Sequence, residues 1–296
     1  MVHLIDASVF IFRAWFSVSD RVVDPDGRPV NAVLGFARFL TGLLAEARPR
    51  HVAVAFDESL TTSFRNELYP PYKANRELPP PELEYQFGLC REMAEALGLE
   101  CFASHRYEAD DIIATLAVRM RGLGRSVAVV TRDKDLSQVL EEDDLYWDYA
   151  GGRRITYAEA AGVFGARPEQ MPDYLGLVGD SVDNIPGVPG IGAKTASALL
   201  ANFEDLDEIY AGLDGIPDLP LRGAARIRDR LIAHRDEAYL ARELATVAVD
   251  VPLSLREGDP LGRRRPDPER LAGLTDRLGF GRRLHGAVES LLREGP

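Results

Sequence analysis

The chain of 296 residues has only two cysteines, Cys90 and Cys101, which belong to no metal-binding or redox spacing. This excludes a disulfide scaffold, and we expect both thiols to be reduced in a cytoplasmic protein. Long apolar runs are also missing, since the longest, such as residues 52–56, are far too short to span a bilayer. The N-terminus has no basic leader before an apolar stretch, so we expect no secretion signal.

Histidine is scarce, and the five histidines are scattered along the chain. No Ser-His-Asp or Cys-His arrangement indicates covalent catalysis. Basic residues are outnumbered, and the resulting net charge of −12 at first disfavours a nucleic-acid partner. The basic residues are clustered, however, for example within residues 119–134 and 222–230. The charge is therefore compatible with nucleic acid if some of the acids form a site that cations fill.

The first half of the chain alternates short apolar segments with helical patterns. The apolar segments are typical of buried parallel strands and lie at residues 2–5, 52–56 and 127–131. Helical periodicity separates them at residues 33–47, 83–98 and 110–124. Residues 145–150 predict a further edge strand, with a turn and return over 151–156. This alternation predicts an α/β fold with a parallel sheet.

The second half is mainly helical, with breaks at proline and glycine. We expect an α-helical region from about 170 to 250, then a loop rich in arginine and proline (256–268) and two short helices. At residues 79–84 the sequence PPPELE indicates a helix start, with proline first and acids in the first turn.

Acidic residues follow three of the predicted strands. Asp6, Asp57 and Asp133 come at or soon after the strand ends, and Asp135 is two residues further on. Because parallel strands end at one edge of a sheet and neighbouring strands are ~4.8 Å apart, these acids should crowd together. For any single aspartate, a helix N-cap or a turn is the simpler interpretation.

Two more acidic groups raise the total to nine carboxylates. They are Glu108, Asp110 and Asp111 at the start of a predicted helix, and Asp180 and Asp183. Crowded carboxylates repel one another, and cations resolve the repulsion. An all-oxygen ligand set favours Mg²⁺ or Mn²⁺ over zinc, and two such ions support phosphodiester hydrolysis with the acids as ligands. Without these nine acids the net charge would be −3 instead of −12.

The segment PGVPGIGAKTASALL (186–200) is typical of a phosphate-binding hairpin. Gly187, Gly190 and Gly192 permit close backbone approach, and Lys194 and Thr195 lie in the first turn of the following helix. The pattern predicts a helix–hairpin–helix element that grips a duplex backbone without reading its sequence. A structural turn between two helices is the alternative.

A basic segment with aromatic residues occupies residues 64–82. It contains Arg65, Tyr72, Lys73 and Arg76 between prolines, a composition suited to a single strand or an opened duplex end. The alternative is a solvated surface loop. Because the segment follows the strand that ends in Asp57, we expect it to overhang the metal site.

These stretches together resemble the bacterial 5′-nuclease family, which comprises the 5′→3′ exonuclease domain of DNA polymerase I and the related flap endonucleases. The similar stretches occur in the family's order: FDE, SFRNELYPPYKANR, YEADDIIATLA, TRDKDLSQVL and GLVGDSVDNIPGVPGIGAKTA. The likeness extends over nearly the whole chain. One departure is Ala7, where the family usually has glycine. No polymerase region follows, so we expect a free-standing nuclease or a fragment of a longer polypeptide.

The resemblance implies a PIN-like nuclease domain (1–169), a helix–three-turn–helix duplex-binding region (170–255) and a C-terminal extension that packs back on the nuclease (256–296). It assigns one metal ion mainly to Asp6, Asp57, Glu108, Asp110 and Asp111. A second ion falls to Asp133, Asp135, Asp180 and Asp183. K⁺ at carbonyls of the hairpin, around residues 187–192, is also implied.

The resemblance further implies roles for the basic segment. Lys73 and Arg76 match residues that contact the scissile phosphate, Tyr72 is a candidate contact for the frayed terminal nucleotide, and Arg65 is expected to contact DNA. The predicted substrate is a 5′-flap, nicked or branched DNA duplex, or an RNA primer on DNA, in replication and repair. The competing hypotheses are a PIN-type ribonuclease and a non-catalytic DNA-junction binder.

Overall fold

A six-stranded sheet forms the centre of the computed structural model, which describes residues 1–58, 62–256 and 258–294. The strands are β1 (Val2–Asp6), β2 (Val52–Asp57), β3 (Glu100–Ser104), β4 (Val127–Val130), β5 (Leu145–Asp148) and β6 (Arg153–Thr156). Their order across the sheet is β3-β2-β1-β4-β5-β6. The first five are parallel, and β6 is antiparallel to β5. The α/β fold, the strand near residues 145–150 and its antiparallel return are therefore confirmed. The edge position predicted for that strand was wrong, because β5 pairs on both sides and the returning strand β6 forms the edge.

Strand β3 was not predicted from the sequence. Its residues, ECFAS, mix polar and apolar side chains, and only Phe102 is buried. Strand β4 in contrast consists of four buried residues that are all apolar. A strand with one buried side chain gives too weak a periodic signal to stand out from a loop.

Thirteen helices are present in the described part of the chain. Six accompany the sheet: α1 (Ala7–Ser17), α2 (Asn31–Ala47), α3 (Phe64–Leu68), α4 (Pro81–Ala96), α5 (Ala109–Gly122) and α6 (Tyr157–Phe164). The others are α7 (Met171–Val178), α8 (Ala193–Leu200), α9 (Leu206–Ala211), α10 (Ala224–Ala233), α11 (Arg235–Ala245), α12 (Pro268–Arg277) and α13 (Arg282–Glu294). No helix in the described residues has the length and apolar character to cross a bilayer.

The ends of two helices show how the local sequence fixes them. Helix α4 begins as predicted, with Pro81 at its first position and Glu82 and Glu84 in its first turn. Helix α1 was not predicted. It follows β1 without a loop, because the Asp6 side chain caps it by accepting a hydrogen bond from the Val9 N–H at 3.5 Å.

Three hydrophobic clusters stabilise the molecule. The first lies on one face of the sheet beneath α2 and α4, and the second lies beneath α5 on the other face. The third holds α7–α11 together. Helices α12 and α13 return to the first cluster, where Leu271, Leu274, Phe280 and Leu284 are buried. The chain therefore ends against the same face of the sheet on which it began its first helices.

Candidate active site

The carboxyl ends of three neighbouring strands form one side of a pocket of about 750 Å³. Strand β1 lies between β2 and β4, so Asp6, Asp57 and Asp133 meet at one edge, as the sequence predicted. Six of the nine predicted acids line this pocket: Asp6, Asp57, Glu108, Asp110, Asp133 and Asp183. The other three, Asp111, Asp135 and Asp180, are not among its lining residues.

Asp6 is the central carboxylate of the pocket and is 3% exposed. The Thr131 hydroxyl donates to its Oδ2 at 2.9 Å and thereby fixes its orientation. Burial, followed by the charges of Asp57 and Asp133, raises the pKa of Asp6 to about 7. A carboxylate with this pKa has too few compensating charges around it.

The start of α5 brings two further acids, Glu108 and Asp110, to the same edge. Asp57 accepts a hydrogen bond from the Ala109 N–H at 2.8 Å, which docks the helix N-terminus onto the end of β2. Asp110, which follows Ala109, therefore lines the pocket. Burial, and then the charges of Asp133, Asp6 and Asp57, raise the pKa of Asp110 well above its usual range.

Asp133 and Asp135 begin the 3₁₀ turn Lys134–Val139 after β4. Asp133 caps this turn through a 2.9 Å hydrogen bond from the Asp135 N–H. The buried Oδ1 of Asp135 has no hydrogen-bond partner among the described residues, although the Lys134 ammonium is 3.9 Å away. Burial and the Asp133 charge raise the pKa of Asp135 to about 8. The charge of Lys134 therefore does not offset the burial of this carboxylate and the repulsion from Asp133.

Glu108 is surrounded by cationic and hydroxyl donors. The Lys73 ammonium lies 2.6 Å from its Oε1, and the Tyr72 hydroxyl donates to its Oε2 at 2.9 Å. Burial opposes ionisation of Glu108, but Lys73 and Arg65 outweigh it and lower the pKa of the carboxyl group. Glu108 is therefore ionised and engaged by protein groups.

The loop after α7 contributes Asp180 and Asp183. Arg76 forms an ion pair with Asp183, and the Lys73 ammonium lies 3.7 Å from the same carboxylate. The Lys73 N–H also donates to the Asp183 carbonyl at 2.9 Å, which ties the basic segment to the loop. Asp180 caps the loop through the Val182 N–H at 2.7 Å and pairs with Lys134 at 3.3 Å.

The chemistry of these donors fits a hard divalent cation. Asp6, Asp110, Asp133 and Asp135 all have raised pKa values, because burial and neighbouring carboxylates disfavour their charged forms. The donors are oxygens throughout, as Mg²⁺ and Mn²⁺ prefer. In residues 1–58, 62–256 and 258–294, no three acidic, histidine or cysteine side chains are already drawn together as closely as coordination to one ion requires.

Arg65 and Asp111 do not face the pocket, and we revise both predictions. Arg65 is 2% exposed, and its guanidinium holds both oxygens of Asp111 at 2.8 Å. Asp111 also accepts hydrogen bonds from the N–H groups of Glu108 and Ala248. All of its acceptor capacity serves the fold, so neither a metal ion nor DNA has access to this pair.

Tyr72 also lies elsewhere than the sequence predicted. It is 3% exposed and packs in the third hydrophobic cluster, with its hydroxyl on Glu108. A buried ring has no free face on which a nucleotide base could stack. Tyr72 therefore orients Glu108 and does not contact a frayed end in this conformation.

A hairpin joins α7 to α8, and the predicted positive φ is found at Gly190 but not at Gly187 or Gly192. Gly190 has a φ of +79°, a left-handed conformation that favours glycine. At Gly187 a Cβ atom would collide with the backbone of Val178 and Gly179, so this glycine is required by close approach. Gly192 caps α8, and Lys194 is exposed and Thr195 half-buried in its first turn. The hairpin and the acidic loop are one continuous segment beside the pocket.

The structure adds an apolar wall that the sequence analysis missed. Phe12 and Phe87 line the same pocket as the acids, with their ring centroids 5.5 Å apart. Leu78 and Pro79 extend this wall. Phe12 belongs to α1, the helix that was not predicted, and Phe87 comes from the distant α4. No spacing in the sequence connects them.

Comparison with known proteins gives two family-model matches that together cover residues 1–269. The 5′-3′ exonuclease N-terminal resolvase-like domain matches residues 1–165, and the 5′-3′ exonuclease C-terminal SAM fold matches residues 166–269. DNA polymerase I of Rhizobium leguminosarum is 41% identical over 261 residues, which are 86% of this chain and 25% of that protein. The chain spans about a quarter to a third of the length of the curated relatives it matches.

Two solved structures of bacteriophage T5 proteins share the fold. T5 5′-exonuclease with bound divalent metal ions (zinc) gives a TM-score of 0.65 at 20% identity, with 99% of this chain and 98% of that chain covered. The T5 D15 flap endonuclease, in a pseudo-enzyme–product complex with DNA and metal ions, gives a TM-score of 0.63 at 20% identity, with 99% and 98% covered.

Proposed function

Because the chain belongs to the 5′-3′ exonuclease family, we propose that it is a structure-specific 5′→3′ exonuclease and flap endonuclease that hydrolyses DNA phosphodiesters with divalent metal ions. One observation carries the proposal. Six carboxylates from the strand ends, the start of α5 and the acidic loop converge on one pocket, which Lys73 and Arg76 also line. This combination suits a phosphate that is bound both by metal ions at the carboxylates and by the two basic side chains.

The metal ligands are proposed to be the six carboxylates that line the pocket, with Asp135 and Asp180 beside them. We expect two Mg²⁺ or Mn²⁺ ions, whose chemistry when bound is to activate water and stabilise the leaving oxygen. The raised pKa values of Asp6 and Asp110 support this, since a cation would relieve the repulsion that causes them.

Lys73 and Arg76 are proposed to orient the scissile phosphate. The charges of Glu108 and Asp183 outweigh the burial of Lys73 and raise its pKa to about 12, so its ammonium stays charged at neutral pH. Both side chains are held at the pocket by Glu108 and Asp183. Hydrolysis then breaks the bond between phosphorus and the 3′ oxygen and leaves a 5′-phosphate on the product.

The apolar wall and the hairpin suit the two ends of a DNA junction. Phe12 and Phe87 offer an apolar surface for an unpaired base next to the acids. The hairpin with Lys194 would hold the duplex backbone. We also propose K⁺ at the carbonyls of residues 187–192, although the Gly190 carbonyl already accepts a hydrogen bond from Arg230.

The proposed domain organisation follows the boundaries expected from the sequence. Residues 1–169 would form the nuclease domain, 170–255 the duplex-binding region and 256–296 the extension. The separate hydrophobic cluster of α7–α11 supports a distinct binding region. The substrate would be a 5′-flap, nicked or branched duplex, or an RNA primer on DNA, in replication and repair.

Cleavage of a 5′-flap duplex labelled at either end tests the proposal. We expect cleavage near the junction with Mg²⁺, none with EDTA, and a loss of at least about 100-fold in Asp110→Asn. Asp143→Asn, the same change at an exposed acid, is the matched control and should cleave normally. Fragment lengths separate flap cutting from stepwise removal.

Two outcomes would contradict the proposal. Faster Mg²⁺-dependent cleavage of single-stranded RNA than of flap DNA would support the PIN-type ribonuclease. Tight binding of flap DNA without any turnover would support the non-catalytic junction binder, and the crowded carboxylates would then need another explanation.

A further inference from the structure

An exposed arginine of α10 is anchored on the phosphate-binding hairpin. The Arg230 Nη1 donates to the Gly190 carbonyl at 2.7 Å. A guanidinium has five N–H donors, so most of them remain available after this contact. Arg230 is solvent-exposed. The contact therefore presents a fixed cation at the edge of the hairpin.

The Arg230 guanidinium lies close against the backbone of the hairpin. A Cβ atom at position 190 would collide with the Arg230 guanidinium. Gly190 thus serves two purposes, since it adopts a left-handed φ of +79° and leaves room for the side chain from α10. The sequence motif explains the first purpose only. The second depends on a helix that lies 40 residues further along the chain.

Arg226 lies one helical turn before Arg230 and faces the same side of α10. Four residues of helix place the two side chains about 6 Å apart along the axis, close enough for neighbouring phosphates of one strand. Arg226 is exposed, and within the described part of the chain it forms no ion pair with an acid. Arg228 differs, because its guanidinium pairs with Asp229 at 3.0 Å.

We propose that Arg226 and Arg230 bind successive backbone phosphates of the duplex strand that the hairpin holds. The inference rests on the proposed function, because it takes DNA as the ligand. Free N–H groups at the start of α8 and the Arg230 guanidinium would hold one phosphate, and Arg226 the next. These contacts are independent of base sequence, so they add affinity without specificity.

The salt dependence of DNA binding tests the proposal. Binding of a labelled 5′-flap duplex, with Ca²⁺ present, is measured by fluorescence anisotropy between 50 and 200 mM salt. Each phosphate contact contributes about 0.9 to the slope of log affinity against log salt. We expect Arg226→Ala and Arg230→Ala each to reduce the slope by about 0.9 and the affinity at 0.1 M salt roughly tenfold.

Three further variants sharpen the test. Arg228→Ala removes the same charge from the same helix and should leave the slope unchanged. Arg230→Lys keeps the charge and should retain most of the slope. In the double variant Arg226→Ala/Arg230→Ala, the slope of log affinity against log salt should fall by about 1.8. Equal slopes for the double variant and the wild type, or an equal loss in Arg228→Ala, would overturn the proposal.

The test separates this inference from the proposed nuclease activity. Cleavage of the same duplex by the wild type with Mg²⁺ is measured in parallel. A reduced slope in the variants, together with a wild type that does not cleave, would support the arginine contacts and overturn the nuclease. Normal cleavage by the wild type, together with unchanged slopes in the variants, would support the nuclease and overturn the arginine contacts. If Arg230→Ala shows no thermal unfolding transition and is therefore not folded, Arg226→Ala alone decides the outcome.

Discussion

At the residue scale, basic residues of one sequence segment lie in different environments. Lys73 and Arg76 face the pocket, whereas Arg65, which belongs to the same basic segment, is buried against Asp111. Arg65 also donates to the carbonyls of Leu244 and Thr246 at 2.7 and 2.9 Å. It therefore connects the basic segment to the end of α11, and its positive charge is used inside the protein.

We predict that Arg65→Met destabilises the protein by about 3–5 kcal/mol, because it leaves the Asp111 carboxylate buried without its cation. Arg106→Met is the matched control, since Arg106 pairs with Glu67 at the exposed surface, and it should change stability little. Urea unfolding measures both. Unaltered stability of Arg65→Met with a loss of DNA affinity would instead support the original DNA-contact hypothesis.

His3 makes the fold sensitive to acid. It lies on β1 against Trp147, with a ring-centroid distance of 6.0 Å, and its Nδ1 has no hydrogen-bond partner among the described residues. Burial, with the positive charges of the N-terminus and Arg154, lowers its pKa to about 4. Because the folded-state pKa lies below the unfolded value of about 6.5, the unfolded state binds protons first as pH falls.

From this shift we predict that protonation of His3 alone lowers the free energy of unfolding by about 2 kcal/mol between pH 7 and pH 5. The variant His3→Gln should lose less stability than the wild type over that interval. Urea unfolding of both proteins at pH 7 and pH 5 gives the difference, and other titrating groups cancel in the comparison. Identical losses in the two proteins would rule out His3 as the cause.

At the scale of elements, the hairpin between α7 and α8 shows that its glycines are not equivalent. Gly187 is needed because backbone atoms of Val178 and Gly179 approach it, and Gly190 because of its left-handed φ. Gly192 has open space around it and a φ of −104°, which other residues adopt. The three glycines look alike in the sequence and have three different environments.

Gly187→Ala is expected to destabilise the protein by about 2–3 kcal/mol and weaken duplex binding, since the backbone must shift to admit the methyl group. Gly192→Ala should be close to neutral in stability, because nothing lies within contact distance of its Cβ. Thermal melting and duplex binding of both variants check this. Equal effects of the two substitutions would contradict the packing argument.

At the scale of the whole molecule, the last two helices complete the core beneath α2 and α4. Phe280 connects α12 to α13 and is 1% exposed. Arg270 and Arg277 of α12 pair with Glu95 and Glu92 of α4 at the rim of this contact. The C-terminal helices therefore stabilise the sheet from the face opposite α5, away from the pocket's acids.

Phe280→Ala should cost about 3–5 kcal/mol, the usual range for removing a buried aromatic side chain. Leu292→Ala, at an exposed leucine of α13, should stay within about 0.5 kcal/mol of the wild type. Denaturant unfolding compares the two. A small effect of Phe280→Ala would mean that α12 and α13 are dispensable for the core.

The sequence by itself determined the central strands, most long helices and the acids at the strand ends. Buried strands such as β1 and β4 are apolar runs, and parallel strands necessarily bring their carboxyl ends to one edge. The outcome for Asp6, Asp57 and Asp133 therefore needed only local patterns and this rule. The position of the glycine hairpin was equally predictable, because clustered glycines and prolines mark a turn between two helices.

Only the tertiary structure decided which charges face the pocket. Arg65 and Arg76 have the same side chain, yet burial against Asp111 and α11 removes the first from the site. Phe12 and Phe87, and likewise Arg230 and Gly190, come together from distant parts of the chain. Such pairs leave no periodic signal, because the packing of whole elements sets their distance and no local conformational preference encodes it.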